Sequence, residues 1–240
     1  MLTTEGCLLN GRIRYAQPAD GYRTGIEPVL LAASVPAHAG QRVLEAGIGA
    51  GAGLLCLAAR VPGVVGIGVE IDPAMAELAR RNVAANSNSS LSVVTADIGA
   101  WRGDGGFDHA FSNPPWHDPA TTLSPTSRRR VAKHEGDLPL ENWISALRAA
   151  LRPGGSLTLI MPATQVGRAM TGLHTAGFGR LTLVPLWPNP GRNAKLLLFQ
   201  GYAGRRDPDR VLPGLMLHDA DGRFSTSAQS LLRDGMALLI

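Results

Sequence analysis

Apolar and polar positions alternate with two different periods along this chain, and the changes of period mark its elements. Leu8, Ile13 and Tyr15 alternate around Asn10-Gly11, a dipeptide that tolerates the positive φ angles of a type I′ turn, so a short N-terminal hairpin is expected. A helix should follow from about Glu27 to Ser34. From Arg42, short β-branched or apolar runs take turns with longer helical stretches: Val43-Leu44 then 52–60, Val64–Val69 then 73–85, Leu91–Thr95, and Phe107–Ser112. Leu138–Leu151 reads as an apolar-periodic helix stopped by Arg152-Pro153-Gly154-Gly155. Ser156–Met161 then reads as a strand, 163–176 as a helix, and Leu181–Leu186 and Lys195–Tyr202 as the last strands. Further on, Leu215-Met216-Leu217 and Phe224 flank an Asp221-Gly222 turn ahead of a short amphipathic helix.

This rhythm predicts an α/β, Rossmann-like fold: a mostly parallel seven-stranded sheet with helices on both faces and an antiparallel last strand. Residues 1–38 are expected to pack on the core as a hairpin and helix, 39–202 to form the cofactor-binding catalytic domain, and 203–240 to extend that domain. Ligands of such sheets sit beyond the carboxyl ends of the strands, near the topological switch.

Composition narrows the class only a little. A chain of 240 residues that is 45% hydrophobic and 18% charged can bury a full core, which excludes a disordered protein. Cys7 and Cys56 make no metal-ligand spacing and fit a reducing compartment. The first residues lack the basic start and apolar stretch of a signal peptide, and later apolar runs are broken before spanning length. A cytoplasmic protein with no membrane partner and no metal is expected. A formal charge of +4 leans towards a polyanionic partner.

Candidate chemistry begins at Glu45-Ala46-Gly47-Ile48-Gly49-Ala50-Gly51, where the first core strand turns into its helix and glycines let a ligand approach the backbone closely. The next strand ends in Glu70-Ile71-Asp72-Pro73, and an acid there can accept hydrogen bonds from the vicinal hydroxyls of a ribose. Gly47-x-Gly49-x-x-Ala52 with Glu70 also fits a dinucleotide fingerprint, so a nicotinamide-dependent oxidoreductase is a competing reading. Two features favour S-adenosylmethionine: Glu45 can bind a cationic ammonium but would repel a pyrophosphate, and Asp97-Ile98 can hold an adenine and its amine. The pattern Glu45-x-Gly47-x-Gly49-x-Gly51, Glu70, Asp97 resembles the class I methyltransferase family over roughly residues 40–200, with Glu45 standing where that family usually has Asp.

Phe107–Ser112 runs into Asn113-Pro114-Pro115-Trp116, which delivers the Asn113 side chain to the sheet edge that holds the cofactor loop. An exocyclic amine conjugated to a ring or carbonyl has a delocalised lone pair, and two acceptors on its hydrogens can turn that pair along the S–CH3 axis. Asn113 supplies one acceptor through its side-chain carbonyl and Pro114 the other through its backbone carbonyl, while Trp116 offers a face for a flipped base. Alignment can provide much of the rate, so no strong general base is required.

Asn-Pro-Pro-aromatic occurs in methyltransferases acting on adenine, on guanine in ribosomal RNA and on protein glutamine, which leaves the substrate open. Gln17-Pro18-x-x-Gly21-Tyr22-Arg23-x-Gly25-x-Glu27-x-x-Leu30-Leu31-Ala32-Ala33 resembles the bacterial tRNA adenine-N6 methyltransferases that modify valine tRNA beside the anticodon. The resemblance implies tRNA as partner and carries a cofactor contact to Glu27, although Ile26-Glu27 stands where that family commonly has Thr-Asp. Arg128, Arg129, Arg130 and Lys133 follow the catalytic motif and are candidates for tracking RNA phosphates. A protein-glutamine methyltransferase, an rRNA base-amine methyltransferase and an RNA-binding module with a vestigial cofactor fold are the remaining alternatives.

Overall fold

The computed structural model describes residues 1–20, 23–103, 105–115 and 138–240. Strands β1 (Thr3–Leu8) and β2 (Ile13–Pro18) form the expected hairpin, with Leu8 opposite Ile13. The Arg12 N–H donates to the Leu9 carbonyl at 3.2 Å across Asn10 (φ 53°) and Gly11 (φ 83°). Positive φ at both central residues is what a type I′ turn demands.

Helix α1 (Glu27–Ser34) leads into the alternating series β3 (Arg42–Ala46), α2 (Ala52–Arg60), β4 (Val65–Glu70), α3 (Pro73–Ala85) and β5 (Leu91–Thr95). β6 (Phe107–Ser112), α4 (Leu140–Ala150), β7 (Leu151–Pro162), α5 (Val166–Thr175), β8 (Phe178–Trp187) and β9 (Leu196–Ala203) continue it. These seven core strands are ordered β8-β9-β7-β6-β3-β4-β5, and β9 runs antiparallel to both of its neighbours. The anticipated mostly parallel sheet with an antiparallel last strand is therefore present. Among the described residues it also gains two two-residue strands, β10 (Arg210–Val211) and β11 (Leu215–Met216), both parallel to β8.

Two boundaries differ from expectation for local reasons. α4 starts at Leu140, with Pro139 at its N-cap in extended geometry (ψ 147°). β7 begins at Leu151, which pairs with Phe107 across a register shift, so the expected interruption at 152–155 is a bulge within the strand.

Strand side chains alternate between two apolar clusters, as a period of two requires. Phe111, Ile160 and Leu198 join Leu30, Leu31, Leu54 and Leu57 from α1 and α2 on one face. Ala110, Leu159, Met161, Leu197 and Phe199 join Ile144, Leu147 and Leu173 from α4 and α5 on the other. Each leucine buried this fully contributes about 2 kcal/mol. Leu215, Leu217, Ala228 and Leu231 of the tail and of α6 (Thr226–Leu232) belong to the first cluster. β3 and β6 are adjacent while their successors depart in opposite directions, so the topological switch lies between them.

Candidate functional site

A cavity of about 950 Å³ opens at the carboxyl ends of β3, β4, β5 and β6. Glu45, Gly47, Gly49, Glu70, Asp97, Ile98, Asn113 and Pro114 all line it. Trp116, Arg128, Arg129, Arg130 and Lys133 lie outside the described residues.

The floor is the β3–α2 turn. Gly47, Gly49 and Gly51 have φ of 68°, 57° and 93°, so the turn alternates through a backbone region that side chains rarely adopt, and Gly51 is the left-handed N-cap of α2. The Gly47 and Ile48 N–H groups donate to the Val69 carbonyl at 2.9 and 3.1 Å, which pins the turn to the end of β4.

Glu70 is held from two sides: Oε2 accepts from the Gly49 N–H at 2.8 Å and Oε1 from the Asp72 N–H at 3.0 Å. Each carboxylate oxygen keeps a further lone pair for an entering hydroxyl. Asp72 in turn caps α3, accepting from Ala74 and Met75 N–H groups, with Pro73 in the first turn. The Asp72-Pro73 pair thus fixes where Glu70 stands.

Glu45 is 4% exposed, and its Oε2 accepts from the Leu54 N–H at 2.7 Å. Burial raises its carboxyl well above the ordinary carboxylate value, the Leu54 N–H opposes that, and the nearby Glu70 charge adds to it. Its Oε1 occupies the space a Cβ on Gly53 would need, so Gly53 matters although it sits outside the glycine pattern. The available signal was its place two residues after Gly51, at the start of α2.

Asp97 accepts from the Gly99 N–H at 2.8 Å and heads a turn in which its carbonyl accepts from Ala100 and Trp101. Its Oδ2 makes no hydrogen bond among the described residues, and Ile98 is buried beside it. Asn113 is half-buried, and its side-chain amide likewise makes no hydrogen bond among the described residues. Glu27 is placed differently: its carboxylate turns back against Gly25, and that wall of the cavity is formed by Thr24, Pro28 and Leu31.

Three contributors escaped the sequence reading. Trp143 of α4 lines the cavity with its ring edge 3.4 Å from where a Gly47 Cβ would stand. Ser112 accepts a hydrogen bond from Trp143. Tyr15 of β2 closes the far wall, its hydroxyl 2.7 Å from Thr24 Oγ1.

The site fits S-adenosylmethionine. A buried carboxyl faces the cavity for an ammonium, a carboxylate with spare lone pairs at the end of β4 suits a ribose, and an acceptor beside an apolar shelf suits an adenine. Among the described residues no cluster of three His, Cys, Asp or Glu could hold a metal, and no helix is long and apolar enough to cross a membrane.

Comparison with known proteins identifies the family. Residues 26–182 match the model of the methyltransferase small domain. A Porphyromonas gingivalis protein named tRNA1(Val) (adenine(37)-N6)-methyltransferase is 33% identical over 85% of this chain and 84% of its own length. A protein of the same name from Shewanella loihica is 28% identical over 88% and 90%. Among solved structures, one described as a predicted O-methyltransferase from Agrobacterium tumefaciens superposes with a TM-score of 0.73 at 25% identity, covering 89% of this chain and 99% of that one. On the extent of the domain match and the identity to its relatives, the chain belongs to the methyltransferase small domain family.

Proposed function

We propose that the protein transfers the methyl group of S-adenosylmethionine to the exocyclic N6 amine of an adenosine in tRNA, at the position beside the anticodon. The observation that carries this reading is the meeting of Asn113 and Pro114 with the glycine loop, Glu70 and Asp97 around one cavity, in a chain whose curated relatives bear the tRNA adenine-N6 name over most of its length. Membership in a methyltransferase family displaces the nicotinamide reading of the glycine loop.

When bound, the cofactor supplies an electrophilic methyl on a sulfonium. Glu45 receives the ammonium of its methionine part, Glu70 the ribose hydroxyls, and Asp97 and Ile98 the adenine. Asn113 Oδ1 and the Pro114 carbonyl accept the two hydrogens of the target amine, which points its lone pair at the cavity. Alignment is the main contribution, and the proton leaves readily once the nitrogen has been alkylated. On sequence grounds Trp116 stacks the flipped base and Arg128, Arg129, Arg130 and Lys133 track phosphates.

Incubation with labelled cofactor and total tRNA, followed by nucleoside mass spectrometry, tests the assignment. N6-methyladenosine beside the anticodon is the expected product. Label on a ribose hydroxyl or on another base, or no label on tRNA at all, overturns the substrate while leaving the cofactor standing.

A further inference from the structure

The outward edge of β2 is covered by side chains where a neighbouring strand would lie. Asn86, the C-cap of α3, accepts from the Arg14 N–H at 2.9 Å and donates to the Arg14 carbonyl at 2.8 Å. Asn82, one turn earlier, repeats the arrangement at Ala16, accepting at 2.9 Å and donating at 2.8 Å. The match is metric: four residues along a helix advance about 6 Å and two along a strand about 6.8 Å, so carboxamides at i and i+4 meet backbone groups two residues apart. At Pro18 the strand offers no N–H and the ladder stops.

Asn86 spends its other N–H inside α3, on the Asn82 carbonyl at 2.7 Å, whereas Asn82 reaches across to the cofactor turn. Its Nδ2 donates a second hydrogen bond, 2.8 Å long, to the carbonyl of Ala50, between Gly49 and Gly51. The residue is 3% exposed, and both of its N–H donors are used. Ala50 is itself buried, in a turn whose flanking glycines place little restraint of their own on the backbone. Tyr15, between the two clamped residues of β2, lines the cavity. One buried carboxamide therefore joins the hairpin wall of the cavity to its floor.

We propose that Asn82 is a positioning residue of the methyl-transfer site, locking the N-terminal hairpin and the cofactor turn into one register so that both hold the cofactor as a unit. The proposal rests on S-adenosylmethionine as cofactor and is independent of which nitrogen accepts the methyl. Without Asn82, the Ala50 carbonyl and the Ala16 backbone lose their buried partners, and the glycine turn has to be ordered when the ligand binds.

The test uses the full chain and S-adenosylhomocysteine. By calorimetry, Asn82→Ala is expected to weaken binding about tenfold. Asn82→Asp should behave alike, since it keeps an acceptor for the Ala16 N–H but turns an oxygen towards the Ala50 carbonyl. Asn86→Ala loses the Arg14 clamp and the hydrogen bond to the Asn82 carbonyl within α3, neither of which reaches the cofactor turn, and is expected to leave affinity unchanged. Unchanged binding in Asn82→Ala, or equal weakening in Asn82→Ala and Asn86→Ala, overturns the proposal. If Asn82→Ala does not fold, amide exchange on the unaltered protein decides. S-adenosylhomocysteine must slow exchange at the Ala16 N–H together with the Gly51 N–H, and an unaffected Ala16 overturns the coupling. None of these readouts involves tRNA, so a wrong substrate assignment leaves them intact.

Discussion

Trp143 Nε1 donates to Ser112 Oγ at 3.1 Å, and Ser112 Oγ donates onward to the Ala46 carbonyl at 2.7 Å. Ala46 precedes Gly47 and Ser112 precedes Asn113, and the two residues are paired across β3 and β6. One hydrogen bond therefore ties α4 to β6, and a second carries on from β6 to β3 across the topological switch, at the point where the cofactor turn and the amine-binding motif both leave the sheet.

Ser112→Ala breaks that chain and leaves a buried carbonyl and an indole N–H without their partner, which should cost about 1–3 kcal/mol in urea unfolding. Trp143→Phe loses the N–H and the ring edge that reaches Gly47 but leaves the Ser112 to Ala46 hydrogen bond in place, so it separates the two links. A Ser112→Ala protein as stable as the unaltered one would show that these two hydrogen bonds do not stabilise the junction.

Asn113→Ala removes an acceptor aimed at the target amine and touches no described residue by hydrogen bond. Turnover should fall by about 10²-fold, by analogy with the loss of one preorganised hydrogen-bonding group. The dissociation constant for S-adenosylhomocysteine should change little. Equal losses in rate and cofactor affinity would assign Asn113 to the cofactor pocket instead.

The frame of the molecule was readable because its punctuation is local. Helix 52–60 follows three glycines, 73–85 follows Asp72-Pro73, and Phe107–Ser112 stops at Asn113-Pro114. β10 and β11 were not readable, since two residues have no periodicity and their pairing with β8 is set by the tertiary fold. At the site, residues announced by their own motif were placed at the cavity, from Glu45 to Pro114. Trp143 was hidden because its neighbours Leu140, Ile144 and Leu147 form an ordinary apolar helix face. Asn82 was hidden because its partners are backbone atoms of Ala16 and Ala50, which leave no trace in residue identity.

His109 gives the fold an acid limit. Gln41 Oε1 accepts from the His38 N–H, so it also accepts from His109 Nε2–H at 2.9 Å, and His109 Nδ1 accepts from Ser156 at 2.8 Å. Burial lowers the imidazole pKa from 6.5 to about 4; the adjacent Asp108 opposes this, while the Arg152, His38 and Arg60 charges add to it. A folded pKa below the unfolded one gives stability that is complete above pH 6.5 and disappears as pH falls through about 4. The interval corresponds to about 3 kcal/mol. Urea unfolding should show that slope in the unaltered protein and a flatter one in His109→Gln. Parallel slopes would place the acid sensitivity elsewhere.

Glu45 titrates in the opposite sense, and the cofactor should reverse it. In the free protein, burial and the Glu70 charge keep its carboxyl raised despite the Leu54 N–H. Its contribution to folding is therefore complete below the ordinary value of 4.5 and declines as pH rises towards the folded one. An ammonium arriving at the cavity favours the charged carboxylate, so the bound state holds fewer protons than the free one. Binding should release protons and tighten as pH rises through the Glu45 transition. Calorimetry of S-adenosylhomocysteine in two buffers of different ionisation enthalpy reads the release directly as a buffer-dependent heat. Glu45→Gln should bind more weakly and lose both the buffer dependence and the pH dependence. A buffer-dependent heat that persists in Glu45→Gln would assign the proton to another group.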